Sequence, residues 1–130
     1  MKIYTSYFGN IKALRQAGII PVCIALWPPR WFNGPCLRNV APSYSILKQT
    51  RSDEEYTRRY NSEILTPLNV AETIELIKER WGEQSIALCC YEKPDEFCHR
   101  QLLAEALRKQ GVEVTEFSKP QAPPQPSLFD

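Results

Sequence analysis

The sequence predicts an α/β fold: a single domain built on a mostly parallel sheet of about four strands with flanking helices. Three observations carry that expectation. Residues 19–26 (Ile-Ile-Pro-Val-Cys-Ile-Ala-Leu) and 85–90 (Ser-Ile-Ala-Leu-Cys-Cys) are short, nearly continuous apolar runs, the character of strands covered on both faces. Segments with helical spacing of apolar residues lie between the strand-like runs. Strands alternating with helices along a chain imply right-handed βαβ units and parallel pairing.

In order along the chain, residues 2–7 (Lys-Ile-Tyr-Thr-Ser-Tyr) alternate and are rich in β-formers, so they read as a first strand. Asn10 is placed to cap a helix carrying Ile11, Leu14 and Ala17, with Gly18 as its stop. The second strand, 19–26, runs into a stretch from Trp27 to Pro42 with no periodicity, rich in Trp, Phe and Pro; loops of that length are often functional. Ser52 with Glu55 and Asn69 with Glu72 each form a capping-box pair. The first opens a helix with Tyr56, Tyr60, Ile64, Leu65 and Leu68 inward, the second a helix with Val70, Ile74, Ile77 and Trp81 inward. After the strand at 85–90, Asp95 is expected to cap a helix from about Glu96 to Gln110, stopped by Gly111. Residues 112–117 alternate as a last, edge-like strand. The α/β domain is thus expected to occupy 1–118, and the proline-rich residues 119–130 to form an extended tail.

With 130 residues the chain has the length of one domain, and 43% hydrophobic and 24% charged residues are ordinary for a globular protein. A core of this size needs neither disulfide nor metal. The net charge of +1 argues against a large phosphate-tracking surface and leaves room for a local basic pocket. No apolar run approaches a membrane span and the N-terminus lacks a signal-peptide core, so a cytoplasmic protein with no membrane partner is expected. Five cysteines, an odd number, read there as thiols, ligands or small core residues.

Ligands of open parallel sheets gather at the carboxyl ends of the strands. The chemically densest such end runs from Cys89-Cys90 through Tyr91-Glu92 to Cys98-His99-Arg100 at the start of a helix. A helix start presents free N–H groups and favours anions, so a thiol there ionises more readily. Cys98 is therefore a candidate nucleophile, or else a small core residue. His99, the one histidine, is a candidate general base, or a donor to a backbone carbonyl. Arg100 at a helix start calls for a partner, either an acid such as Glu92 or a bound anion. Glu92, leaving a buried strand, is a candidate acid, base or attacking carboxylate. Zinc is the rival reading, with Cys89 or Cys90, Cys98, His99 and Cys36 as ligands; no Cys-x-x-Cys supports it, so no metal or cofactor is expected. Cys23, mid-strand, reads as core. Tyr7, Trp27, Arg30, Trp31 and Tyr91, with Phe32 and Arg38, can form a stacking and phosphate-binding wall for a nucleotide or unpaired base, or simply a hydrophobic lid.

Cys90-Tyr91-Glu92-Lys93-Pro94, followed by Phe97-Cys98-His99-Arg100 and Leu102-Leu103-Ala104, resembles the hallmark of the domain-of-unknown-function 488 family. Tyr4 to Phe8 resembles that family's opening strand, and Ala25 to Pro28, Trp31 and Ala41-Pro42 its second region. The resemblance covers about residues 3–117. It implies an intracellular α/β protein of bacterial or phage type with Glu92, Cys98, His99 and Arg100 as signature positions, and it brings no established reaction. Ala25 and Leu26 stand where many members carry Asp and Arg, with Arg30 as the nearest replacement.

Gln125-Pro126-Ser127-Leu128-Phe129 resembles the peptide by which bacterial replication and repair proteins grip the DNA sliding clamp. Adjacent Leu128 and Phe129 suit an apolar pocket, and Gln125 and Ser127 supply polar anchors. Together these readings lead to an enzyme of nucleotide or nucleic-acid metabolism, a transferase or hydrolase recruited to the clamp. The alternatives are a non-catalytic nucleotide- or nucleic-acid-binding adaptor and a small zinc protein.

Overall fold

The computed structural model describes residues 2–93 and 96–118. Four parallel strands, β1 (Ile3–Tyr7), β2 (Ile20–Cys23), β3 (Ile86–Cys90) and β4 (Val114–Glu116), form one sheet in the order β2-β3-β1-β4. The helices are α1 (Ile11–Gln16), α2 (Tyr44–Gln49), α3 (Asp53–Tyr60), α4 (Val70–Trp81) and α5 (His99–Lys109). The expected α/β class and parallel sheet are what the chain adopts.

The alternation of strand side chains divides the core in two. Ile86, Leu88 and Cys90 of β3 join Ile77 and Trp81 of α4 and Leu103 and Leu107 of α5 in one cluster. Ala87 and Cys89 of the same strand join Ile11 and Leu14 of α1, with Phe8 and Phe117, in the other. Helices thus cover both faces of the sheet, which is why all five residues of β3 are buried and the strand reads as a continuous apolar run. Chain leaving β1 crosses by α1 to β2, whereas chain leaving β3 crosses by α5 to β4 on the other side of β1. The crossovers part between β1 and β3, the kind of position where such sheets hold ligands.

Local signals set several boundaries. The Ser52 hydroxyl accepts from the Glu55 N–H at 3.0 Å and the Asn69 side chain from the Glu72 N–H at 3.0 Å, as expected for caps. The helix begun at Asp53 widens into a π-helical turn over Asn61–Leu65 rather than running on regularly to Leu68. Gly82 and Gly111, with φ of +58° and +84°, follow α4 and α5, where the left-handed conformation suits glycine.

Three expectations are corrected. The Asn10 side chain makes no cap bond; its amide donates to the Ser6 hydroxyl at 3.2 Å inside the core. Strand β2 is shorter than 19–26, its last bond to β3 running from the Ile24 N–H to the Cys89 carbonyl at 3.0 Å; on its other edge the Cys23 N–H donates to Pro35 and the Cys23 carbonyl accepts from Leu37. That pairing also gives the Trp27–Pro42 loop an anchor, a single parallel bridge between Cys23 and Cys36. Helix α5 starts at His99 rather than near Glu96, since Cys98 is extended (φ −151°, ψ 147°) and its N–H is taken by the Gln101 side chain at 2.9 Å. Asp95, the expected cap, lies outside the described residues, as does the tail with Gln125, Ser127, Leu128 and Phe129.

Among the described residues no helix is long and apolar enough to cross a membrane.

Candidate functional site

A cavity of about 230 Å³ opens beyond the carboxyl ends of β2 and β3, lined by Ala25, Leu26 and Trp27 on one side and Cys90, Tyr91, Glu92 and His99 on the other, with Pro42, Leu47 and Lys48 closing it. Its floor comes from strand parity: Cys90, the last residue of β3, projects to the α5 face, while Cys89 projects to the α1 face and is sealed. Burial pushes the Cys89 thiol up to about 12 and the Cys23 thiol up to about 11, so neither ionises near neutrality.

Cys98 stands behind Cys90, and their sulfurs are joined as a disulfide. The Cys98 sulfur is 3.7 Å from Nδ1 of His99. Nε2 of His99 lies 2.8 Å from the Ile24 carbonyl, which can only accept, so that nitrogen carries the proton and Nδ1 presents its lone pair toward Cys98. Burial lowers the imidazole from 6.5 to about 4, with Arg100 adding to the effect and the Ile24 bond opposing it, so His99 is neutral at pH 7. Tyr60 packs against the ring with centroids 5.4 Å apart, and its hydroxyl donates to Val40 at 2.6 Å. These contacts leave the imidazole one orientation.

Arg100 is wholly buried. Its Nε and one terminal nitrogen donate to the two carboxylate oxygens of Glu116 on β4 at 3.0 and 3.2 Å, a bidentate pair. Its other terminal nitrogen reaches the Cys90 sulfur at 2.8 Å and donates to the Glu92 carbonyl. The partner expected for Arg100 is thus an acid, but Glu116 rather than the Glu92 side chain. A guanidinium against sulfur favours a thiolate, so once the disulfide is reduced Cys90 is the sulfur held by a cation and Cys98 the one beside a base.

The Glu92 carboxylate converges on the same place: one ligand atom each from Cys90, Glu92 and Cys98 all lie within 4.8 Å of one another. Cys36 does not join them, since it sits beside Cys23 at the far edge of β2. The four-residue zinc set considered from the sequence is therefore not assembled among the described residues.

The aromatic residues divide. Trp27 and Tyr91 border the pocket, each about half exposed (51%), and the Tyr91 hydroxyl donates to the Trp27 carbonyl at 2.6 Å. Tyr44 packs on Trp27 with centroids 5.8 Å apart. Trp31 lies edge-on to Phe8 outside the pocket, and Arg30 is exposed on the loop. Tyr7 pairs with Cys90 in register, yet its ring lies against Gly9, where any side chain would meet it at 2.5 Å. Sequence reasoning singled out Cys98 and placed Cys89 and Cys90 at this strand end without choosing between them, and it left out Lys48 and Glu116. Glu116 had no signal in the sequence, since its pairing depends on strand order.

No curated protein and no solved structure matches the chain. Residues 22–111, from β2 through the pocket to the end of α5, match the family DUF488-N3a, described as the active DUF488-N3 subclade. The match spans the loop, the Cys90-to-Arg100 turn and the helix behind it, and the chain belongs to that family.

Proposed function

We propose that this chain is an enzyme acting on a nucleotide or nucleic acid, with the chemistry carried by the Cys90–Cys98 pair, Glu92 and His99. The observation that carries the reading is that Cys90, Glu92 and His99 line one aromatic-rimmed pocket at the strand ends, with the Cys98 sulfur behind them, close to Cys90, Glu92 and Nδ1 of His99. In this reading Glu92 or a reduced cysteine is the nucleophile and His99 accepts or returns a proton at Nδ1. Arg100, committed to Glu116, Cys90 and the Glu92 backbone, positions the reactive groups. A cavity of about 230 Å³ is small beside typical ligand pockets of roughly 300–1,000 Å³, which suits a single base rather than a whole cofactor.

The test incubates reduced protein with the common nucleoside monophosphates and short oligonucleotides and follows products by mass spectrometry. Glu92→Gln and Cys98→Ala should each abolish product while leaving the far-ultraviolet spectrum unchanged. If neither substitution alters turnover or binding, the enzymatic reading fails; binding that survives both without turnover favours the adaptor. We propose further that residues 125–129 dock the protein on the sliding clamp, so deleting 121–130 should abolish clamp pull-down.

The convergence of Cys90, Glu92 and Cys98 favours zinc binding as a second reading, in which these three residues would hold the ion once the disulfide is reduced. Elemental analysis of reduced protein purified without added metal should then find one equivalent of zinc that Cys98→Ala loses. Its absence removes the reading.

A further inference from the structure

The net charge of +1 conceals a segregation along the chain: all seven charged residues before Asp53 are Lys or Arg, and the acidic residues begin at Asp53. The basic segment carries α1, β2, the aromatic loop and the β2 side of the pocket. A second, more open depression of about 680 Å³ lies on the same segment, lined by Phe8, Lys12, Arg15 and Trp31 among others. Aromatic rings bridge the two. Tyr91, tied to Trp27 at the pocket mouth, stands 5.0 Å from Phe8 between centroids, and Phe8 stands 6.3 Å from Trp31, which is 63% exposed. Lys48 lines the first cavity and Lys12 and Arg15 the second, so each end of the ring path has a cation.

Two exposed rings, Tyr91 and Trp31, joined through the buried Phe8 and with cations at either end, suit a polymer of unpaired bases: every base offers a face to stack on, and every linkage offers a charge to neutralise. A mononucleotide would fill one cavity and leave exposed Trp31 and Lys12 beyond its reach. A duplex keeps its base faces stacked and offers nothing to these rings. We infer that the ligand is single-stranded nucleic acid, with one base in the pocket and the neighbouring nucleotides laid over Tyr91 and Trp31 toward Lys12 and Arg15. This rests on the proposed function and names its substrate class.

Fluorescence anisotropy of the full-length reduced protein with labelled oligothymidylates tests it. Affinity should rise roughly tenfold or more from a dinucleotide to a chain of about eight to twelve nucleotides, and fall on raising salt from about 50 to 200 mM. Trp31→Ala and Lys12→Glu, both at exposed positions, should each weaken the longer chain about fivefold or more and leave the dinucleotide unchanged. Equal affinity for dinucleotide and longer chain overturns the inference, as does a longer chain indifferent to Trp31→Ala or matched by duplex of the same length. Length-dependent binding without product would remove the enzymatic reading and support the strand path. Product from mononucleotides without length dependence would do the reverse.

Discussion

Two halves of the site are built on opposite physical terms. Behind the pocket, Cys98, His99 and Arg100 at the start of α5 are all buried, and their side chains are spoken for by Cys90, the Ile24 carbonyl and Glu116. In front, Trp27, Tyr44, Leu47 and Tyr91 leave a third to a half or more of their surface open, and their contacts are mostly with one another. The buried half gains orientation: a polar group removed from water keeps only the geometry its partners allow. The open half loses solvent-driven stability and keeps surface for contact, which a folded protein seldom exposes without use. Changes in the first half should therefore register in stability, and changes in the second in binding.

The largest effect is expected at Glu116. Glu116→Ala leaves the buried Arg100 cation without its counter-charge and should cost about 3–5 kcal/mol, read from the urea unfolding midpoint. A loss below about 1 kcal/mol would mean that Arg100 is not held as described.

Next is the pH dependence of His99. Its folded pKa lies below the unfolded one, so the unfolded chain binds the proton first as pH falls. The contribution is complete above about pH 6.5 and is lost as pH drops through about 4, amounting to roughly 3 kcal/mol. Wild type should lose that much more stability than His99→Gln between pH 7 and 4, and parallel curves would contradict it. Tyr60→Phe removes the hydroxyl that satisfies Val40 and should cost about 1–2 kcal/mol by the same measurement. Smallest is Trp31→Ala: an exposed ring should change stability by no more than about 0.5 kcal/mol, so a larger loss would place Trp31 with the buried half.

What could be read from residues alone follows how local the determining interactions are. Ser52 and Asn69 cap helices through bonds three residues away, and such pairs are visible in sequence. The parallel sheet was legible because β2 and β3 are apolar on both faces. That same feature hid which of Cys89 and Cys90 faces the pocket, since a strand buried on both sides carries no polar alternation to set its parity. The placement of Glu92 and His99 at one strand end followed from the turn that joins them. The Arg100–Glu116 pair did not, because β4 reaches its place only by crossing β1. Trp31 lies away from the pocket for a similar reason: the loop is anchored by Cys36 on Cys23, a contact that no periodicity announces.

The central claim is that the sulfurs at the end of β3 and the start of α5 are reachable from the pocket while the other buried thiols are not. Partly buried Cys36 is removed as Cys36→Ser, the protein is fully reduced, and iodoacetamide labelling at pH 7 is mapped by peptide mass. Cys90 or Cys98 should label well before Cys23 and Cys89, and an oligothymidylate should slow that labelling alone. Four cysteines reacting together, at a rate that tracks global unfolding and ignores the oligonucleotide, would contradict it.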